Sequence, residues 1–509
     1  MIPEIKLHNG HHTLFVKGEP FFCYAGEIHN SSASNLAYME NDVWTNLRGL
    51  NMNTVIVPIY WECLEPELGK FDFGLVDGVI NQARENGMHL IFLWFGLWKN
   101  AESMYVPSWM KKDANLYFRA ETVSGKRLNS ISPLCQVAVE RDALAFRHLM
   151  AHIKEVDKND STVLMIQIEN EIGLLGTDRD YSKIANDQFN APIPTDLGKH
   201  LSVTGTWKEA FGENAPEFFM AYHYAKAVET IAQAGKAEYP LPFYANAWLR
   251  QYPWSPGTYP SGGPVVETHP IWKAIAPSLF TLAPDIYVPY VAQVIDEYAT
   301  ADNPLVIPEV RKDATTASYC LYAFAQHNAI CYSPFGIEEI TLPPESVDMP
   351  PMAVMQALNI DPSAFDIKDS AKFLSKSYEL VESLKPFLLE SSDKRHCFIK
   401  RHEHDYGKLI SLQHYNALIA YAPRQDSKPI ASGGIIELTE NKFIVFGMMS
   451  TITFSPKSGE NVQVDIIELS EGQFINKEWQ KGRILNGDEK MRFTLPETPS
   501  CYLVELYKY

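Results

Sequence analysis

The chain has 509 residues, 46% hydrophobic and 21% charged, enough for one large core and a smaller one. Its formal net charge of −18, without clustered Lys and Arg, argues against a nucleic-acid partner, and no apolar run reaches membrane-spanning length. The N-terminus has no basic start ahead of an apolar core, and seven scattered cysteines show no CxxC spacing, so a cytoplasmic location with buried free thiols is expected.

Strand-like runs then alternate with amphipathic helical stretches, the pattern of a parallel sheet. The first strand is predicted at Phe21 to Ile28, followed by a helix near Leu36 to Leu50. Next come strand Thr54 to Tyr60, helix Leu75 to Glu85 and strand Met88 to Trp94. A helix around Val137 to Val156 leads to strand Val163 to Ile168. The segment from Gly173 to Pro216 is too long for an ordinary connection, and such insertions usually shape a cleft. After helix Phe218 to Ala234 come strands Pro242 to Ala247, Asp285 to Val288, Leu305 to Ile307 and Ala329 to Ser333, and a last helix near Ala371 to Leu389. Eight such units predict an α/β fold, a (β/α)8 TIM barrel over residues 1–390. Beyond Ser391 short strands separated by turn residues predict an antiparallel β-sandwich domain over 391–509.

Two apolar runs end in glutamate: Ile166-Gln167-Ile168-Glu169-Asn170-Glu171 and Leu305-Val306-Ile307-Pro308-Glu309-Val310. In a parallel barrel the C-terminal ends of the strands carry the active site. Two carboxyl groups about 5 to 5.5 Å apart are what a retaining glycosidase needs, one as nucleophile and one as acid and then base. Taken singly, Glu171 reads as a helix N-terminus and Glu309 as a charge outside a strand. At the fourth and seventh strands of one barrel the functional reading prevails. Glu169 competes for the acid role, but strand alternation points it the other way.

These positions resemble clan A of the glycoside hydrolases, which implies that Glu171 is the acid/base and Glu309 the nucleophile. Gly26-Glu27-Ile28-His29 resembles a signature of glycoside hydrolase family 35, chiefly β-galactosidases. So do Gly49 to Val55, Tyr60-Trp61, Glu65-Pro66, Gly69 to Phe73 and Val106-Pro107-Ser108-Trp109. Two departures stand out. Asn30 occupies a place that is usually aromatic in the family, and Leu93 to Asn100 replaces the Cys-Ala-Glu-Trp stretch that grips galactosyl hydroxyls in typical members. The glycone therefore stays open. A subgroup with a compact barrel and one C-terminal β-domain is the nearest resemblance.

Sugars stack on aromatic rings and need directional partners for their hydroxyls. Tyr60, Trp61, Trp98, Trp248, Tyr287 and Tyr332 lie at or past predicted strand ends and are candidate substrate contacts, as are Asn170, Glu27 and Lys99. Core filling explains some of the aromatics, with Trp98 and Trp248 placed in loops; a structural ion pair is the alternative for Glu27 and Lys99. Tyr287 and Tyr332 are candidates for a phenol bonded to Glu309. His148 and His152 share a helical face without a third ligand and read as surface histidines.

The function expected is a retaining exo-β-galactosidase acting on oligosaccharides, with no metal or organic cofactor, no nucleic-acid or membrane partner, and homo-oligomerisation left open. A β-glucosidase or β-glycosyl transferase on the same scaffold, sheltered by the 173–216 insertion, is the first alternative. A non-catalytic carbohydrate-binding protein is the second.

Overall fold

The computed structural model describes residues 1–251, 253–358, 360–390, 392–457, 459 and 461–509. Eight parallel strands close into a barrel: β1 (Cys23–Glu27), β2 (Thr54–Tyr60), β3 (His89–Lys99), β4 (Val163–Asn170), β5 (Phe243–Trp248), β6 (Leu279–Ile286), β7 (Val306–Val310) and β8 (Cys331–Pro334). A small antiparallel sheet, from Glu4 to Phe21, precedes it. Most strand residues are buried on both faces, which is why they read as continuous apolar runs rather than alternating ones. The outer layer includes helices α1 (Gly74–Glu85), α2 (Gln136–Asp157), α3 (Ala215–Glu238), α4 (His269–Ile275), α5 (Val291–Tyr298), α6 (Thr316–His327) and α7 (Ser370–Leu388). No helix among the described residues is long and apolar enough to cross a membrane.

Three elements depart from expectation. The helix expected at Leu36 to Leu50 is broken into short pieces around a π turn at Met39–Val43. Strand β6 begins at Leu279 rather than Asp285, because Pro284 lies inside it and hides it in the sequence. Strand β3 does not stop at Trp94 but runs on to Lys99 through a bulge between those residues.

Two antiparallel sheets, one of six strands and one of four, fill the C-terminal part; the boundary expected at Ser391 lies outside the described residues. The six-stranded sheet docks on α6 and α7 through polar pins set in apolar surface. Ser318 on α6 exchanges hydrogen bonds with Ile430, donating to its carbonyl at 2.8 Å and accepting from its N–H at 3.0 Å. Ser383 on α7 does the same with Phe474, at 3.1 and 2.8 Å. On its inner side α7 is tied to the barrel by Tyr378, whose buried hydroxyl donates to the Ala25 carbonyl at 2.6 Å.

Two further contacts position the strands that matter most. Asp157, at the end of α2, accepts from the N–H groups of Thr162 (3.0 Å) and Val163 (2.8 Å) and from Arg84 (2.7 Å), which anchors the start of β4. Gly26 on β1 lies against Ile337: a β-carbon there would fall 2.4 Å from Ile337 Cγ1 and 2.6 Å from its Cβ. A branched side chain has no room to swing aside so close to its own backbone. Gly26→Ala should therefore cost about 1–3 kcal/mol through overpacking and lower the thermal unfolding midpoint, measured by circular dichroism.

Candidate active site

Neighbouring strands bring their C-terminal ends to one level: Lys99 pairs with Asn170, Trp248 with Asp285, and Asp285 with Glu309. A cavity of about 220 Å³ opens there, lined among others by Lys99, Asn100, Glu171, Asp285, Tyr287 and Glu309. It is small beside the roughly 300–1,000 Å³ of drug-sized ligand sites. Glu171, Asp285 and Glu309 each offer an oxygen within 4.8 Å of the others.

The two glutamates sit in different surroundings. Glu309 accepts from Asn170 Nδ2 (2.9 Å) and Tyr287 Oη (2.9 Å), with Asn246 Nδ2 at 3.4 Å. Such donors favour the charged form of a carboxylate. Glu171 has the Asn100 carboxamide on Oε2 and donates its backbone N–H to Asn246 Oδ1 at 2.9 Å. Its carboxyl is pushed up to about 8, by burial first and the Glu309 charge second, against the opposing pull of Lys99 and Asp285. Burial, followed by the Glu309 and Glu171 charges, also raises Asp285 well above the usual carboxylate range. Glu171 thus keeps its proton through neutral pH, the state in which a general acid must start.

Glu169 faces away from this cavity. Its carboxylate accepts from the N–H groups of Leu97 (3.0 Å) and Trp98 (2.7 Å) inside the β3 bulge, beside Asp142, which accepts from Leu97 N–H and Trp94 Nε1, both at 2.8 Å. Gly96 permits this arrangement, since a β-carbon there would lie 2.4 Å from Asp142 Oδ2 and 2.6 Å from Glu169 Oε1. The bulge turns Lys99 and Asn100 toward the cavity, and Lys99 Nζ donates to Asn170 Oδ1 at 2.8 Å.

Of the candidate residues, Glu171, Glu309, Asn170, Lys99, Tyr287 and Trp248 are brought together in or against this cavity. Glu27 is fully buried, and neither of its oxygens is hydrogen-bonded among the described residues; it sits outside the lining, raised well above the usual range by burial first and then by Glu309. The ion pair suggested for it with Lys99 is absent among the described residues.

Four aromatic candidates are corrected. Trp98 is core: β3 runs past it, it packs edge-on against Tyr224 of α3, and Nε1 donates to the Ile131 carbonyl at 2.9 Å. Trp61 opens a short helix, packs on Trp94 and Trp109, and donates to Glu65 at 2.9 Å. Tyr60 packs on Phe95 and Tyr105, away from the carboxylates. Tyr332 bonds to Thr316, with Oη 2.9 Å from the hydroxyl and 3.0 Å from the carbonyl, and not to Glu309. His148 and His152 stack on Phe71 and Phe73.

Asn246 and Asp285 escaped sequence reasoning, although a lone Asn inside Phe243-Tyr-Ala-Asn-Ala-Trp248 is a usable signal. No cavity-lining residue comes from the 173–216 insertion among the described residues; its short helices pack instead on α3, with Trp207 against Phe219 and Tyr222. By type, the three clustered carboxylates are ligands for a hard cation. The groups around them, however, are N–H, ammonium and phenol donors rather than further oxygen ligands.

A family model described as Glycosyl hydrolases family 35 matches residues 13–238, and a domain of unknown function (DUF5597) matches 374–496. The first stretch contains Glu171 and ends before Glu309. The human Beta-galactosidase-1-like protein 3 is 28% identical over 177 residues, 34% of this chain and 24% of that protein. A Beta-galactosidase of Xanthomonas manihotis is 29% identical over 179 residues, 33% of this chain and 27% of that protein. The chain thus spans about a quarter of the length of these curated relatives. A β-galactosidase structure from Bacillus circulans sp. alkalophilus overlaps 95% of this chain and 99% of its own at 9% identity, with a TM-score of 0.49. One from Marinomonas ef1 overlaps 72% and 61% at 12% identity, with a TM-score of 0.48. Over residues 13–238 the chain resembles glycoside hydrolase family 35.

The raised Glu171 carboxyl has a consequence for stability. Between its ordinary value near 4.5 and about 8 the folded state holds a proton that the unfolded chain has released, so stability falls as pH rises through that window. Glu171→Gln removes this loss. Its thermal midpoint should exceed that of the wild type at pH 8, with the gap closing by about pH 4.5; scanning calorimetry across pH reads the difference.

Proposed function

We propose that this chain, with its resemblance to glycoside hydrolase family 35, is a retaining exo-β-galactosidase acting on terminal β-galactosyl residues. The observation that carries the reading is the pair Glu171 and Glu309. They face each other with oxygens within 4.8 Å in one cavity, and their hydrogen-bond surroundings are opposite. That closeness suits a displacement by carboxylate; an inverting pair stands roughly 6.5–9.5 Å apart to admit water.

In the first step Glu309 attacks the anomeric carbon, the glycosidic bond breaks, and Glu171 gives its proton to the leaving oxygen. Forming the glycosyl ester removes the Glu309 charge that helped keep Glu171 protonated. Glu171, now a carboxylate, takes a proton from water, which attacks the anomeric carbon and releases Glu309. No further reactant is needed to balance either step. Asn170 and Tyr287, which donate to Glu309, hold the nucleophile, and Lys99, Asn100 and Asp285 in the lining are the proposed partners of the glycone hydroxyls.

Glu309→Ala should abolish turnover of aryl β-galactosides, and azide should restore it with an inverted product. Wild-type rates in that variant would overturn the assignment. Glu171→Gln should slow glycosides with poor leaving groups by about 10²–10⁴-fold while affecting activated aryl glycosides far less, as steady-state kinetics on a leaving-group series would show. In the wild type, loss of the Glu171 proton should give kcat/KM an alkaline limb near pH 8, and Glu171→Gln should abolish that limb, as a pH–rate profile on an activated glycoside would show.

A further inference from the structure

The cavity changes character with height. Its floor is polar and buried: Lys99, Glu171, Asp285 and Glu309 are each at most 7% exposed. At its mouth the lining turns apolar, with Trp248, Leu358, Ile360 and Phe365 partly exposed and Leu249 and Val288 buried behind them. Asn30 and Gln251 supply polar atoms at this level.

The apolar wall is tied to the strand that carries the nucleophile. Arg311, just past β7, donates to Asp361 (2.8 Å) and Ser363 (2.8 Å), and Lys312 N–H donates to the Ala364 carbonyl at 2.8 Å. The Asp361 N–H reaches the Tyr287 carbonyl at 3.2 Å, and the Phe365 ring stacks on Tyr287 with centroids 5.7 Å apart. Buried Arg311 is also paired with Asp313. Residues 361–365 are therefore braced, so that Phe365, with Ile360 adjoining the braced stretch, needs little ordering on binding.

An exo-acting pocket takes the glycone on its floor and the leaving group at its mouth. From the apolar mouth above a polar floor we infer that the aglycone this site selects is an apolar group, an alkyl chain or an aromatic ring, in preference to a second sugar. A sugar leaving group would bring hydroxyls against Leu358, Ile360 and Val288, where hydrogen bonds to water are lost without replacement. An alkyl or aryl group gains by burial on the same surface. This inference rests on the glycosidase reading above and narrows its substrate class.

Methyl and octyl β-galactosides have leaving groups of similar basicity and differ in apolar surface, while β-galactosyl fluoride has no aglycone. In the wild type, kcat/KM for the octyl glycoside should exceed that for the methyl glycoside and for lactose by at least about 10-fold. The double variant Leu358→Asn, Ile360→Asn should bring the octyl-to-methyl ratio down by a similar factor while leaving fluoride hydrolysis unchanged, which also reports that the variant is folded. Single Ile360→Ser should fall between the two. Fluoride hydrolysis with an octyl-to-methyl ratio near one, or with lactose preferred, would overturn the apolar-aglycone inference and leave the glycosidase reading standing. No hydrolysis of the fluoride would overturn both.

Discussion

The site depends on two carboxamides whose polarity is fixed. An asparagine side chain offers an acceptor at one end and a donor at the other, and a strong donor on its oxygen forces the NH2 to face the opposite way. Lys99 occupies the oxygen of Asn170, so Asn170 Nδ2 must point at Glu309. The Glu171 backbone N–H occupies the oxygen of Asn246, so Asn246 Nδ2 must point at Asp285 and Glu309. Exchange either oxygen partner for an acceptor and the amide would turn. Glu309 would then lose a donor in a place where an uncompensated buried charge is expensive. The chemical difference between two glutamates of identical side chain follows from these orientations and from Tyr287.

The β3 bulge is the second constraint, and it explains Glu169. Strand β3 advances five residues, from Trp94 to Lys99, while β4 advances two, from Ile168 to Asn170, leaving β3 N–H groups without ladder partners. Glu169 and Asp142 take those N–H groups. Burial, then the neighbouring Asp142, raises Glu169 well above the usual range, and burial raises Asp142 too, so the pair holds a proton between them. The outward carboxylate is thus a structural part that holds Lys99 and Asn100 on the cavity side. Both Glu169 and Glu171 have positive φ, 60° and 46°, so the chain turns sharply on either side of Asn170. That local strain is sustained by the hydrogen bonds that β3 and β5 supply.

Much of the architecture was legible in the sequence because buried parallel strands are long apolar runs, and β2 coincides with its expected span. The glutamates were legible for a related reason: a charge ending such a run has few places to go except the barrel mouth. The aromatics were not. Whether a ring near a strand end faces the cavity or the helices depends on register, and a shift of one residue reverses it. Placing the end of β3 at Trp94 put Trp98 in a loop; the bulge returns it to the outer face against Tyr224. Tyr332 and Tyr287 look alike in sequence, yet Thr316 on α6 captures one hydroxyl and Glu309 the other. Asp285 was read as the first residue of a strand when it is nearly the last, because Pro284 concealed the six residues before it.

The departure of Leu93 to Asn100 from the family pattern has a structural meaning as well. A strand that ended at Trp94 would leave the loop after it free to present whatever residues grip a sugar. Here the strand continues, and what it presents is one ammonium and one carboxamide already engaged with Asn170 and Glu171. Each has donors left over: an ammonium carries three and a carboxamide two. The floor therefore combines spare donors on Lys99 and Asn100 with acceptor oxygens on Asp285, Glu171 and Glu309. Under the function proposed here, recognition of the glycone rests on how hydroxyls divide between those two sets, and the bulge that sets Lys99 and Asn100 in place determines that division.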